Sequence, residues 1–134
     1  MVIDSSALIA ILRKEPESEA LAQAIYRDPV RLVSAVTKLE AGMVAIGRRD
    51  RAAAAELDAL LVDLRVEIVP FDDAQADIAR EAFARYGKGR HKAGLNFGDC
   101  AAYALAVLEA EPLLFKGTDF AATDVAVAGL TGPE

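Results

Sequence analysis

The 134 residues include one cysteine, Cys100, and one histidine, His91, and they lack any apolar run long enough to cross a bilayer. Each scarcity removes a class of protein. A lone cysteine cannot close an internal disulfide, and a lone histidine cannot build a zinc site of the usual kind. The apolar stretch Ala101 to Val107 falls far short of a span, and the first residues have neither the basic start nor the long apolar run of a secretory signal. The expectation is a water-soluble, cytoplasmic chain without a membrane segment. Positive charge is also in deficit: 15 basic against 21 acidic residues leave a net charge of −6. That argues against a general nucleic-acid coat, which needs a broad basic face to release counterions. With 54% hydrophobic side chains, the length suits one compact domain over residues 1–134 and is too short for two.

What is present alternates between strand and helix patterns. Met1 to Asp4 reads as a first strand, Ser5 to Leu12 as a helix, and Glu17 to Tyr26 as a second helix closed by Pro29. A strand at Arg31 to Ser34 leads directly into a helix over Val36 to Arg48. The segment Ala52 to Leu64 places Leu57, Leu60, Leu61 and Leu64 at amphipathic spacing. Val66 to Phe71 is β-branched. Asp72 or Asp73 then caps a helix whose inward stripe is Ala79, Ala82, Phe83 and Tyr86. After a basic loop from Gly87 to Leu95, Gly98 to Glu109 is almost wholly small or apolar, as in a helix buried on most sides. Leu113 to Phe115 and Val125 to Val127 read as late strands. This order implies an α/β fold with a mostly parallel sheet covered on both faces and ligands beyond the carboxyl ends of the strands.

Four carboxylates interrupt that apolar pattern: Asp4, Glu40, Asp99 and Asp119. Each has an ordinary explanation as a cap. Asp4 can cap the helix at Ser5 and Asp119 the turn at Phe120, while Thr37 to Glu40 and Asn96 to Asp99 fit the capping-box spacing. Against capping, Glu40 shares its helix face with Val36, Met43 and Val44, and Asp99 with Ala102, Tyr103 and Ala106. Charge beside a core is costly unless it is paired, hydrogen-bonded or bound to a cation. The reading that joins the four is a pocket for a hard divalent cation, Mg2+ or Mn2+, held by oxygen alone. Such an ion relieves the repulsion among the carboxylates and supports hydrolysis of a phosphodiester. Ser5 and Thr118 are placed to hydrogen-bond a carboxylate or a phosphate, and Asp124 is a candidate outer partner of the ion. Local positive charge for a nucleic acid is available from Arg48 and Arg49 and from Lys88 and Arg90, though either cluster also reads as a solvated surface. Cys100 reads as a small buried hydrophobe.

The start Val2-Ile3-Asp4-Ser5-Ser6-Ala7-Leu8, the run Ser34-Ala35-Val36-Thr37-Lys38-Leu39-Glu40, the run Leu95-Asn96-Phe97-Gly98-Asp99-Cys100 and the run Leu114-Phe115-Lys116-Gly117-Thr118-Asp119-Phe120 resemble, in joint order, the PIN-domain ribonucleases. More narrowly they resemble the VapC toxins of bacterial toxin–antitoxin pairs. The resemblance implies a three-layer α/β/α sandwich, magnesium-dependent endoribonuclease activity, a homodimer, and inhibition by a small cognate antitoxin protein. It implies Asp4 and Asp99 as main metal ligands, Glu40 and Asp119 completing the acidic set, and Asp124 at a more variable acidic place. Thr118 departs from the Asn or Asp often found there in relatives. Two rival readings come from other classes. One is a phospho-acceptor signalling module, suggested by the acid ending the first strand and by Lys116. The other is a catalytically silent domain that keeps the acidic groove to receive a basic peptide.

Overall fold

A computed structural model describes residues 1–130. It contains strands β1 (Val2–Ile3), β2 (Leu32–Ser34), β3 (Glu67–Val69) and β4 (Leu113–Leu114). Its helices are α1 (Ser5–Leu12), α2 (Ser18–Arg27), α3 (Ala35–Arg48), α4 (Arg51–Asp63), α5 (Asp73–Tyr86) and α6 (Phe97–Glu109), followed by a single 3-10 turn at Phe120–Ala122. The four strands form one sheet in the order β3-β2-β1-β4, and every pairing is parallel.

Strands β1, β2 and β4 are short but buried on both faces, while the edge strand β3 is only partly buried, and their period of two sorts the side chains. Val2 pairs in register with Leu32 and Leu113. These three turn to a core shared with Tyr86, Leu95, Tyr103 and Leu105 of the α5–α6 side. Their neighbours Ile3, Val33 and Leu114 turn to the opposite core, which is filled by Leu8, Leu21, Ile25, Leu57, Leu61 and Leu64 from α1, α2 and α4. The result is the three-layer α/β/α sandwich. No helix among the described residues is long and apolar enough to cross a membrane.

Two details differ from the pattern read in the sequence. Phe83 is 41% exposed, because the buried line of α5 runs through Gln75, Ala82 and Tyr86 instead. Val125 to Val127 does not form a strand: Val127 makes one isolated parallel bridge to Leu113, too little for a ladder.

The topology also fixes where a site can form. From β1 the chain moves outward to β2 and β3, then returns to place β4 on the other side of β1. The carboxyl ends of β1 and β4 therefore border a switch point, where loops diverge to opposite faces and leave a crevice. Asp4 follows β1 there, and its backbone N–H donates to the Leu114 carbonyl at 2.9 Å, tying it to the end of β4.

Candidate active site

Asp4 is the N-cap of α1, as its capping alternative anticipates: its Oδ2 accepts the Ser6 backbone N–H at 3.0 Å. Capping does not account for the rest of the side chain. Asp4 is only 2% exposed, and its Oδ1 is buried without a hydrogen-bond partner among the described residues. Burial pushes its pKa from 3.8 up to about 6, against the lowering effect of the Ser6 hydrogen bonds, and the charges of Asp99 and Glu40 add to the rise. An orphaned carboxylate oxygen in a core is among the least favourable groups a fold can hold alone.

Ser6 was not singled out from sequence, yet its hydroxyl joins the two strand ends. The Lys116 backbone N–H donates to Ser6 Oγ at 3.0 Å. The hydroxyl proton is therefore directed to Asp4 Oδ2, 2.6 Å away. One oxygen of Asp4 is thus clamped through the loop that follows β4, the loop that also carries Thr118 and Asp119. Only Ser6's place, two residues after an acid at a helix start, hinted at this.

Glu40 is not a cap. Thr37 lies inside α3, whose N-cap is Ser34, with Ser34 Oγ accepting the Val36 N–H at 3.2 Å. The Glu40 carboxylate instead accepts the Ser5 hydroxyl at 2.6 Å, joining α3 to the first turn of α1. It also presses on α6, where a Cβ added at Gly98 would fall 2.0 Å from Glu40 Oε2. Gly98 is thus a second residue missed from sequence, and its lack of a side chain admits the carboxylate to the helix terminus beside Asp99.

Asp99 does form the capping box. Its Oδ2 accepts the Asn96 N–H at 3.0 Å, while Asn96 Oδ1 accepts the Asp99 N–H at 2.9 Å. Burial raises its pKa nonetheless, and the charges of Glu40 and Asp119 push the same way. Asp119 is exposed and makes no side-chain cap to its 3-10 turn. Asp4, Glu40 and Asp99 each commit one oxygen to hydrogen bonding, Asp4 to two bonds and the others to one, and the second oxygen accepts none among the described residues. As the side chains stand, no three His, Cys, Asp or Glu among the described residues are close enough to hold one ion.

The remaining candidates lie elsewhere. Asp124 joins a different group: Tyr103 donates its hydroxyl to Asp124 Oδ1 at 2.6 Å, and Arg85 stands 3.6 Å from Oδ2. The Tyr103 bond holds the Asp124 pKa low, so it faces donors rather than the other acids. Thr118 is exposed in the loop after β4. Arg48 and Arg49 end α3, with Arg49 paired to Glu56 at 2.8 Å. Lys88 and Arg90 are exposed on the loop between α5 and α6. Lys116, which the phospho-acceptor reading needs near the acid, turns its ammonium to Glu15 and Glu17. The Cys100 thiol is buried and pushed up to about 11, so it is not a thiolate.

The PIN domain family pattern matches residues 1–126. The chain belongs to the PIN-domain family. Among PIN domains it is 52% identical to a protein named Ribonuclease VapC from Mycolicibacterium smegmatis, over 94% of this chain and 98% of that one. It is 47% identical to Ribonuclease VapC30 of Mycobacterium tuberculosis, over 97% and 99% respectively, and so is a VapC-family member. The fold matches that of Mycobacterium tuberculosis VapC20, described as a Sarcin-Ricin loop cleaving toxin. That match has a TM-score of 0.76 at 16% identity and covers 93% of this chain and 95% of VapC20. FitAcB of Neisseria gonorrhoeae is similar at a TM-score of 0.66 and 21% identity, over 96% of each chain. At such identities the PIN fold is what these structures share with this chain.

Proposed function

We propose that this PIN-domain chain is a magnesium-dependent endoribonuclease, the toxin of a toxin–antitoxin pair, with Asp4, Glu40, Asp99 and Asp119 as its acidic machinery. The observation that carries the reading is Asp4: a buried carboxylate at the switch point, charge-coupled to Glu40 and Asp99, with one oxygen left without a partner. The donor set is all oxygen, which suits magnesium or manganese. When bound, such an ion neutralises charge on the phosphodiester and makes water a better nucleophile.

The chain's own residues have three tasks. Ser6 holds Asp4 Oδ2 and so keeps the other oxygen available. Ser5 fixes Glu40 against α6, and Asn96 fixes Asp99 at the helix start. Asp119, exposed and electrostatically coupled to Asp99, completes the negative rim. Gathering a third carboxylate onto one ion requires side-chain rotation, which the single hydrogen bond on each of Glu40 and Asp99 permits. Arg48, Arg49, Lys88 and Arg90 are the cations offered to RNA phosphates.

A small antitoxin as partner is supported by the neighbouring structures, one of which is a toxin–antitoxin complex from Klebsiella pneumoniae. A homodimer is supported by an apolar cavity of about 370 Å³ between α5 and α6. Phe97 on its edge is 79% exposed, which is unusual for a phenylalanine. Light scattering on the purified chain tests the dimer.

The decisive experiment is RNA cleavage by purified protein in magnesium, with EDTA stopping it and Asp4→Asn or Asp99→Asn abolishing it. Intact metal-dependent cleavage in either variant refutes the assignment of that residue. Expression of the chain alone should arrest growth. Normal growth with soluble, folded protein would favour the silent partner-binding domain.

A further inference from the structure

Helices α1 and α3 run side by side with matched spacing. Ser5 and Glu40 meet through the 2.6 Å hydrogen bond. One turn further along, Ile9 and Val44 line one cavity, and a turn beyond them Arg13 and Arg48 line it too. Residues 5, 9 and 13 and residues 40, 44 and 48 are thus two i, i+4, i+8 rows facing a common seam. At 1.5 Å per residue the seam runs about 12 Å from the carboxylates to the arginines.

The cavity at the far end has a volume of about 400 Å³, within the range of small-ligand pockets. Its floor is apolar, from Ile9, Leu12, Val44 and Ala53, and its rim carries Arg13, Lys14, Arg48 and Arg49. Glu15 and Glu56 stand near two of these, at 3.7 Å from Arg13 and 2.8 Å from Arg49. Lys14 has no ion pair among the described residues. In a chain of net charge −6, four cations around one apolar hollow form a local reversal of sign, complementary to an anion with a flat apolar part.

We propose that this hollow is a nucleotide subsite of the same active site: an unpaired base of the RNA substrate lies on the Ile9–Leu12–Val44 floor, with an adjoining phosphate on Arg13 and Arg48. This rests on the ribonuclease reading and extends it. The substrate crosses the acidic end of the seam and continues single-stranded for a few nucleotides to the basic end. Unpaired bases are the part of RNA that such a pocket can take, because a duplex keeps its bases stacked and out of reach.

The test uses the full chain carrying Asp99→Asn, in EDTA, with a fluorescent unstructured 12-nucleotide RNA and a salt titration. Adding Arg13→Ala and Arg48→Ala should weaken binding about tenfold at low salt and make the log–log salt slope shallower by about 0.7 for each phosphate no longer neutralised. The corresponding Lys pair should keep the slope, since charge is retained. In the otherwise wild-type chain the double Ala variant should raise KM about tenfold with kcat little changed, the signature of weakened uniform binding. An RNA series with one abasic position at each step should show one register that loses affinity for the parent chain but not for the double variant.

An unchanged slope and KM in a folded double variant overturns the subsite. So does an equal change in the Arg80→Ala control on α5, which would signal general charge. Retained RNA affinity with abolished inhibition by the antitoxin would assign the hollow to that protein instead. Failure of the wild type to cleave any RNA would count against the ribonuclease reading, whereas the salt slope, measured without metal, still judges the subsite.

Discussion

Asp4 and Asp124 are the same residue type at opposite extremes of electrostatic treatment. Asp124 is half exposed and faces donors, the Tyr103 hydroxyl and the Arg85 guanidinium, and its pKa is lowered. Asp4 is buried, faces Glu40 and Asp99, has one unpartnered oxygen, and titrates near 6. The first group is complete within the protein and anchors the segment after the 3-10 turn to α5 and α6. The second is complete only when something outside the chain supplies positive charge or a proton. An acidic residue in this fold is therefore assigned by what faces it, not by its distance along the chain from a motif.

The largest expected effect separates the two acids by activity. Asp4→Asn should lower magnesium-dependent cleavage by a hundredfold or more, beyond the 10–100-fold typical of residues that only support a ligand. Asp124→Asn should change it by no more than a few-fold. Comparable losses in a cleavage assay would erase the distinction. Next in size, Gly98→Ala should cost about tenfold in cleavage by displacing the Glu40 carboxylate, with little change in melting temperature. A large fall in melting temperature would show that Gly98 serves packing instead.

The titrations should have opposite signs. Asp4 binds its proton more tightly folded than unfolded, so its contribution to stability falls as pH rises from about 4 to about 6. Without metal at pH 7.5, Asp4→Asn should therefore be more stable than wild type by about 3 kcal/mol, with the cap kept because Asn caps as well as Asp. Magnesium should raise the wild-type melting temperature and leave that of Asp4→Asn unmoved. Asp124 works the other way: its stabilisation is present above the ordinary carboxylate pKa and is lost as pH falls through its lowered one. Denaturation curves from pH 3 to 8 on the two Asn variants would reveal both slopes. The smallest effect is Tyr103→Phe, which should cost about 1 kcal/mol by removing one hydrogen bond, read as a melting shift of a few degrees without loss of cleavage.

Much of the fold was legible because burial leaves a periodic trace. The leucines of α4 and the apolar run of α6 could only be amphipathic or buried helices, and both appear within a residue or two of where the pattern puts them. Phe83 escaped because a helix with polar Gln75 on its buried line has no clean apolar stripe to follow. Val125 to Val127 escaped because β-propensity does not say whether a partner edge is long enough to pair. In the site, spacing alone allowed Thr37–Glu40 and Asn96–Asp99 to be the same motif. The second is a capping box and the first is not, since Ser34 starts α3 three residues earlier.

Sequence by itself determined the alternation of strands and helices, the acids set against apolar surroundings, and the likeness to PIN domains, because these depend on local pattern. Only the tertiary structure decided that Ser6 bridges Asp4 to the loop after β4, that Gly98 makes room for Glu40, and that Asp124 answers to Tyr103. Those contacts join residues up to 110 positions apart. What a side chain meets across such a separation is set by how the sheet orders its strands, which no local pattern records.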